Sequence, residues 1–193
     1  GLKTASINAT KIDLSVFNGC QFEELNVSGA TVHMAGYGYN GNTTLKRVNI
    51  EAQEYTSESG SFRNVKNLKT VTLKANNAAL DSRAFVECPK LESIDLTGCN
   101  SVTYQNGGLT TGTAALGDGL NPNVKIYVAD DNANPRTHNS GLEANKGIVF
   151  VTNGGTVDLT KTGFVSVTKA GYTAEWYTNK DFSENSKVDT TTI

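Results

Sequence analysis

Three glycines, Gly36, Gly38 and Gly41, are the residues of this sequence best suited to approach a phosphate group. They lie in the stretch GYGYNG and match G-x-G-x-x-G. That motif binds a pyrophosphate when it follows a strand and opens a helix, with an acidic residue about 20 positions further on. Here the next residues, GNTTLKRV, lead into another strand pattern rather than a helix. We therefore predict turn glycines that allow a tight chain reversal, and no nucleotide site.

The residue types that perform acid–base or nucleophilic chemistry are few and scattered. The two histidines, His33 and His138, have no neighbour in sequence that would complete a catalytic or metal-binding pattern. Carboxylates that stand close together fall on solvated strand positions or in a loop, so an acid/base pair is not expected. We therefore predict no catalytic residue and a protein that is not an enzyme. The carboxylates concerned are Glu23, Glu24, Glu92, Asp95, Asp130 and Asp131.

The stretch DDNANP places Asp130, Asn132 and Asn134 at the spacing of a calcium-binding loop. Such a loop needs Gly at its sixth position and Glu at its twelfth, where this sequence has Pro135 and Gly141. An ordinary linker is the prediction, and weak cation binding is the alternative. No metal and no cofactor are assigned.

The chain of 193 residues has 17 basic and 19 acidic side chains, which gives a formal net charge of −2. This balance provides no basic stripe for nucleic acid and no polybasic segment for an anionic membrane. No apolar run approaches the roughly 20 residues that cross a bilayer. Frequent Ser, Thr, Asn and Gly favour turns and strands and are typical of an extracellular surface. We expect a monomer that neither binds nucleic acid nor inserts into a membrane.

An apolar pattern of the form L-x-x-V-x-L recurs along the first two thirds of the chain. Successive copies lie 23 residues apart, and a fifth copy, Ile126 and Val128, follows about nine inserted residues near 105–122. Alternating apolar residues indicate a strand of about five residues in each unit. The first four copies are Phe22/Leu25/Val27, Leu45/Val48/Ile50, Leu68/Val71/Leu73 and Leu91/Ile94/Leu96.

The chain must return between these strands, and the returns carry large residues of their own. Phe17, Tyr39, Phe62 and Phe85 occupy equivalent positions, which predicts one aromatic row along the core. A single unit buries too few side chains to offset the entropy of its ordered backbone, about 1–2 kcal/mol per residue. Stacked units cover each other's flat sides. The prediction is therefore a solenoid of about five rungs, with short parallel strands and short helical returns.

The three cysteines are Cys20, Cys88 and Cys99. Cys20 and Cys88 stand three rungs apart, about 14 Å at the spacing of paired strands, which is too far for a disulfide. We predict that both are small buried thiols. Cys99 follows Leu96 in the position that leucine-rich patterns give to Asn or Cys, and Asn76 occupies that position one repeat earlier. We expect Cys99 to satisfy a main-chain group at the turn.

The stretch AFVECPKLESIDL, residues 84–96, follows the pattern A-F-x-x-C-x-x-L-x-x-I-x-L, and residues 61–73 follow it with Val65 in place of Cys. These units resemble the BspA-type leucine-rich repeats of bacterial surface proteins. The resemblance extends over roughly residues 12–130. It implies a leucine-rich repeat solenoid of the α/β-repeat class, predominantly β, which is secreted or displayed on the bacterial cell surface and used for attachment or protein contact.

The repeat register ends within NANPRTHNSGLEANKG, where we predict a boundary between a repeat domain, residues 1–146, and a second module, residues 147–193. In the second module, VFVTNGG at 149–155 and GYTAEWYT at 171–178 are similar to the Listeria-Bacteroides repeat of internalin-like surface proteins. This resemblance implies a small β-rich module, which would serve as a cap of the solenoid.

If the apolar strand positions point into the core, the residues between them form two outward rows across the sheet. We predict that this polar face binds a protein partner on a host or cell surface. The alternatives are a stalk without a ligand and a carbohydrate-binding module in which Tyr104, Tyr127 or Trp176 forms a stacking platform. The candidate binding residues are Arg47, Asn49, Thr70, Thr72, Ser93, Asp95 and Tyr127.

Overall fold

The chain folds into a parallel sheet whose strands follow one another in sequence. The computed structural model describes residues 3–17, 19–105, 115–116, 119–121, 123–129, 133 and 135, and the main chain of 147–150. The strands are β1 (Thr4–Asn8), β2 (Lys11–Asp13), β3 (Glu24–Met34), β4 (Arg47–Ser57), β5 (Thr70–Leu80), β6 (Ser93–Tyr104), β7 (Lys125–Val128) and β8 (Gly147–Phe150), and a 3-10 helix spans Leu14–Phe17.

From β3 onwards each strand pairs with the next one along the chain, which is the arrangement of a solenoid. The order is β1-β3-β4-β5-β6-β7-β8, with β2 also paired to β3, and every pairing is parallel. The chain must therefore complete one turn between neighbouring strands, since parallel strands need a crossover connection. The predicted leucine-rich repeat solenoid is confirmed.

The pairing register reproduces the spacing of the sequence pattern. Leu25 lies beside Val48, and Val48 lies beside Val71, so residues 23 apart are neighbours on adjacent strands. Ile94 pairs with Ile126, which confirms that the extra residues between β6 and β7 leave the register intact. These side chains are almost fully buried and form the first wall of the core.

The central strands are longer than the pattern predicted. β3, β4 and β5 each have 11 residues, about twice the expected length. In β3 the buried residues are Leu25 and Val27, then Val32 and Met34, so the alternation changes phase between them. The strand bends at this change of phase, and its second half forms another wall of the same core. The sequence pattern predicted only the first half of each strand, because only there does every repeat have a large apolar residue at each buried position.

Turns, rather than the predicted short helices, make the returns between the described strands β3 to β6. Each return uses residues with positive φ, which reverse the chain and end helical geometry. One such row contains Tyr37, Gly60 and Arg83, and successive returns also hydrogen-bond to each other, as from Tyr39 N to Ser61 O at 2.9 Å. The second row contains Gly41, Asn64 and Glu87.

Aromatic rings from successive returns stack inside the solenoid. Phe62 lies between Tyr39 and Phe85, with ring centroids 5.6 and 5.7 Å away. At the other end the ring of Phe22 tilts against Tyr39 at 6.4 Å. The prediction is wrong for Phe17, which is half-buried and makes no such ring contact among the described residues. Phe22, which the strand pattern places level with Leu45, packs against Tyr39 at this end of the row instead.

A β-bulge distinguishes β6 from the strands before it. Its register against β5 shifts between Thr72 and Lys74, so one extra residue is inserted and Cys99 pairs with Ala75. Asn76, predicted to be equivalent to Cys99, instead accepts a hydrogen bond from Asn100 Nδ2 at 3.1 Å. The bulge is the physical reason for this offset, because it displaces every later residue of β6 by one position.

Candidate binding face

The structure brings the seven candidate binding residues together on the outward side of four adjacent strands. Arg47, Thr70 and Ser93 lie in line across β4, β5 and β6. A second row runs parallel to it and reaches β7. Its members are Asn26, Asn49, Thr72, Asp95 and Tyr127, each paired in register with the next.

Hydrogen bonds between neighbouring rungs hold these rows in place. Arg47 Nη2 lies 2.6 Å from Glu24 Oε2, and this hydrogen bond lowers the pKa of the Glu24 carboxyl. Asn49 donates to Asn26 Oδ1 at 2.7 Å, and Asn26 donates to Glu24 Oε1 at 3.1 Å. At this end of the face these four side chains form a connected network whose orientation is set before any ligand arrives.

Asp95 occupies the end of this face next to the bulge. Its Oδ1 accepts hydrogen bonds from Thr97 N at 3.0 Å and from Thr97 Oγ1 at 2.7 Å. The carboxylate therefore fixes the local main chain. A ligand that contacts Asp95 would find Oδ1 already hydrogen-bonded within this turn.

Of the aromatics proposed for a stacking platform, the structure places one at the surface. Tyr127 is half-buried on the outward face of β7. Tyr104 is buried, with 6% of its surface exposed, and its hydroxyl donates to Ala133 O at 2.7 Å, so its proposed exposure was wrong. The reason is the alternation in the second half of β6, which turns this ring inward. Trp176 lies outside the described residues.

A shallow groove crosses the same side of the sheet near its N-terminal end, and sequence analysis missed it. Its volume is about 460 Å³, and it extends from β1 to β5. Two parallel rows of polar side chains form its walls. One row is Ser6, Asn26, Asn49 and Thr72, and the other is Asn8, Ser28, Glu51 and Lys74. Alternating polar residues on four consecutive strands are the sequence signal that could have revealed it.

Within the described part of the chain, the glycine motif and the histidine do not assemble a reactive site. Gly41 has φ 76° in a turn, and Gly36 N donates to Glu58 Oε2 at 2.9 Å, so GYGYNG forms a turn as predicted. His33 lies in β3, with Nδ1 2.9 Å from Thr56 Oγ1. Its Nε2 is 3.5 Å from Glu58. His138 and the calcium-like stretch 130–135, apart from residues 133 and 135, lie outside the described residues.

The paired carboxylates have structural partners rather than one another. Glu23 lies 2.8 Å from Lys46 Nζ, and this hydrogen bond lowers the pKa of its carboxyl. Glu92 lies 3.6 Å from Lys69 Nζ. Among the residues that the structure describes, no three His, Cys, Asp or Glu side chains cluster in a way that could hold a metal ion.

The three cysteines divide into two buried thiols and one exposed thiol. Cys99 donates to Leu73 O at 3.2 Å, which confirms its predicted role of satisfying the main chain. Cys88 donates to Phe62 O at 3.0 Å. Burial raises the pKa of Cys88 to about 11 and that of Cys99 to about 12. The burial predicted for Cys20 is wrong, because the turn after the 3-10 helix leaves this residue at the surface.

Comparison with known proteins agrees with this architecture. The BspA type leucine rich repeat region matches residues 3–106 in six copies. No curated protein and no solved structure matches the chain. None of the described helical residues forms a segment that could span a bilayer. Because the matched region covers more than half of the 193 residues and coincides with the ladder from β1 to β6, the chain belongs to the BspA-type leucine-rich repeat family.

Proposed function

We propose that this chain is a non-catalytic binding module, secreted or displayed on the bacterial cell surface, that attaches to protein partners. Family membership supports the coarser part of this proposal, since such repeats commonly serve as interaction modules. The observation that carries the finer part is the outward face of β4 to β7. There Arg47, Asn49, Thr72 and Tyr127 stand on a rigid ladder at regular spacing.

The chemistry of this face suits a polar, hydrogen-bonding protein surface. Its side chains present amide, hydroxyl and guanidinium groups, and Tyr127 supplies an aromatic ring with a polar hydroxyl. Tyr and Arg are enriched among residues that dominate binding energy at interfaces. The hydrogen bond to Asn26 holds the Asn49 side chain in one orientation, which reduces the conformational entropy that is lost when a partner binds.

We propose that residues 147–193 form a β-rich module of the Listeria-Bacteroides repeat type, whose first strand continues the sheet of the solenoid. Strand β8 pairs with β7 in parallel, from Lys125 beside Gly147 to Val128 beside Phe150. This pairing supports the idea that the module covers the last rung and protects its edge. Open sheet edges invite unwanted pairing, so a cover of this kind has a physical purpose.

The test of protein binding uses substitutions that place a bulky charge on the face without touching the core. Wild type, Thr72→Arg and Ser93→Arg are immobilised and exposed to a panel of purified secreted and cell-surface proteins. Thr103→Arg, on the exposed side of the far half of β6, is the matched control. We expect at least one protein to bind wild type and the control and to lose about tenfold or more in affinity to both face variants.

A stalk without its own ligand is the second candidate, and one observation favours it. Arg47 is already paired with Glu24, and Asp95 with its own turn, so the charges of the face are largely satisfied within the chain. If no protein of the panel distinguishes wild type from Thr72→Arg, the spacer function replaces the binding function.

A further inference from the structure

The groove between β1 and β5 has a chemistry that differs from that of the protein-binding face. All of its lining side chains that point outward carry a hydrogen-bond donor or acceptor. The apolar residues in its lining, Ile7, Val27 and Ile50, pair in register and direct their side chains towards the core. The described lining therefore contains no aromatic ring, and these three apolar residues lie between the two polar rows.

Two charged residues near one end of the groove have no ion-pair partner in the described part of the chain. Glu51 and Lys74 lie side by side on β4 and β5, yet neither makes an ion pair within 4.0 Å among the described residues. The stem of Lys74 lies over Gly98 of β6, where an added Cβ would be 3.0 Å from the Lys74 Cβ. The Lys74 ammonium makes no hydrogen bond or ion pair among the described residues, so its three donors remain available.

The groove ends at β5, next to the bulge of β6. No residue of β6, which the structure describes throughout, contributes to the lining, and the lining stops at Thr72 and Lys74. From β1 to β5 the groove crosses three strand spacings, about 14 Å. The groove is open to solvent over a volume of about 460 Å³, so it offers a surface for an extended ligand rather than an enclosed pocket.

The rows are also organised before a ligand binds. Asn8 Nδ2 donates to Ser28 Oγ at 2.8 Å, and Asn49 Nδ2 donates to Asn26 Oδ1 at 2.7 Å. Each amide keeps one further donor, and Asn49 keeps its carbonyl oxygen as an acceptor. Donors and acceptors are therefore closely mixed along a groove whose two charges cancel.

We propose that this groove binds a neutral oligosaccharide. A sugar hydroxyl is both donor and acceptor, as a serine hydroxyl is, so a chain of hydroxyl groups matches closely mixed amides, hydroxyls, a carboxylate and an ammonium. A peptide is the weaker match, because peptide recognition depends on pockets for side chains and on apolar anchors, which the described lining lacks. The glycan site goes beyond the protein-binding function and shares Asn49 and Thr72 with that face.

The experiment uses three defined probes, chitohexaose, cellohexaose and maltohexaose, titrated into the full chain by calorimetry. We expect at least one to bind, and its affinity to fall about tenfold or more in Glu51→Ala and in Lys74→Met, each of which removes a hydrogen bond to a charged group. Glu54→Ala, which removes an exposed carboxylate on the far half of β4, is the charge-matched control and is expected to bind as wild type. Thermal unfolding of each variant checks that the exposed substitutions leave the fold intact.

Two further outcomes separate this site from the protein-binding face. Tyr127→Ala, which lies outside the groove, is expected to leave oligosaccharide affinity unchanged whether or not it weakens protein binding. In NMR titrations, the shifts caused by the bound probe are expected at Asn26, Ser28 and Asn49. Absence of binding by all three probes, binding that is insensitive to both Glu51→Ala and Lys74→Met, or binding of extended hexapeptides in their place would overturn the proposal.

Discussion

At the scale of single residues, equivalent positions of the repeats have the same structural role, and a few residues depart from it. Cys88 and Cys99 are buried thiols that each donate to a main-chain oxygen, a role that suits small side chains inside a crowded core. Tyr39 departs from the pattern of its row, because its equivalents Phe62 and Phe85 carry no hydroxyl. Its hydroxyl is buried without a hydrogen-bond partner among the described residues.

That buried hydroxyl leads to a prediction for Tyr39→Phe. An unpaired buried hydroxyl costs about 1–3 kcal/mol, so its removal is expected to leave the free energy of unfolding unchanged or to raise it by about 1 kcal/mol. Tyr104→Phe is the matched control, since it removes the 2.7 Å hydrogen bond to Ala133 O and is expected to lower stability by about 1–2 kcal/mol. Urea denaturation measures both. Equal destabilisation by the two substitutions would contradict the assignment.

At the scale of elements, the returns show how the chain reverses direction without helices. Positive φ recurs at residues 23 apart, and glycine occupies only some of these positions. Gly60 has φ 67°, and the ring of Tyr37 covers it, with Cε1 2.8 Å from the place of an added Cβ. Gly41 has φ 76°, but the nearest atom to its added Cβ is 3.9 Å away. A side chain at residue 41 would therefore meet backbone strain alone, whereas one at residue 60 would meet backbone strain and a steric clash.

We expect Gly41→Ala to lower stability by about 1–2 kcal/mol through left-handed strain alone. Gly60→Ala is expected to cost more, because the Tyr37 ring must also move. In a Tyr37→Ala background the extra cost should disappear, so that Gly60→Ala then resembles Gly41→Ala. A double-mutant cycle by thermal or urea unfolding measures this coupling, expected at about 0.5 kcal/mol or more. A coupling of zero would contradict the idea that the Tyr37 ring keeps its position only because residue 60 has no side chain.

At the scale of the whole molecule, ion pairs join each rung to the next along the outside of the solenoid. Glu23 pairs with Lys46, Glu24 with Arg47, and Glu87 with Arg63. Hydrogen bonds from these cations lower the pKa of each carboxyl from its ordinary value of 4.5. Exposed pairs of this kind contribute little individually, but a stack of repeats sums the interfaces between neighbours.

The direction of these pKa shifts predicts how stability depends on pH. A carboxyl whose pKa is lower in the folded chain contributes stability that is complete above its ordinary value of 4.5 and is lost as pH falls through the lowered value. We therefore expect the melting temperature to stay level between about pH 7 and pH 5 and to fall on further acidification. Calorimetry across this pH range measures the melting temperature. In Glu24→Gln, which lacks one of these carboxyls, we expect the melting temperature to fall less on acidification. A melting temperature that rises on acidification below the ordinary carboxyl pKa would contradict the sign.

The sequence by itself determined the solenoid, its period and its two outward rows, because a repeated apolar alternation can be buried only by stacking equivalent turns. Only the tertiary structure decided that β3 bends where its alternation changes phase, that Cys20 is exposed and that Tyr104 is buried. It also brought the groove lining together, because these residues come from strands that are distant in sequence. The periodic part follows from local residue pattern, whereas these features depend on contacts between rungs that are distant in sequence.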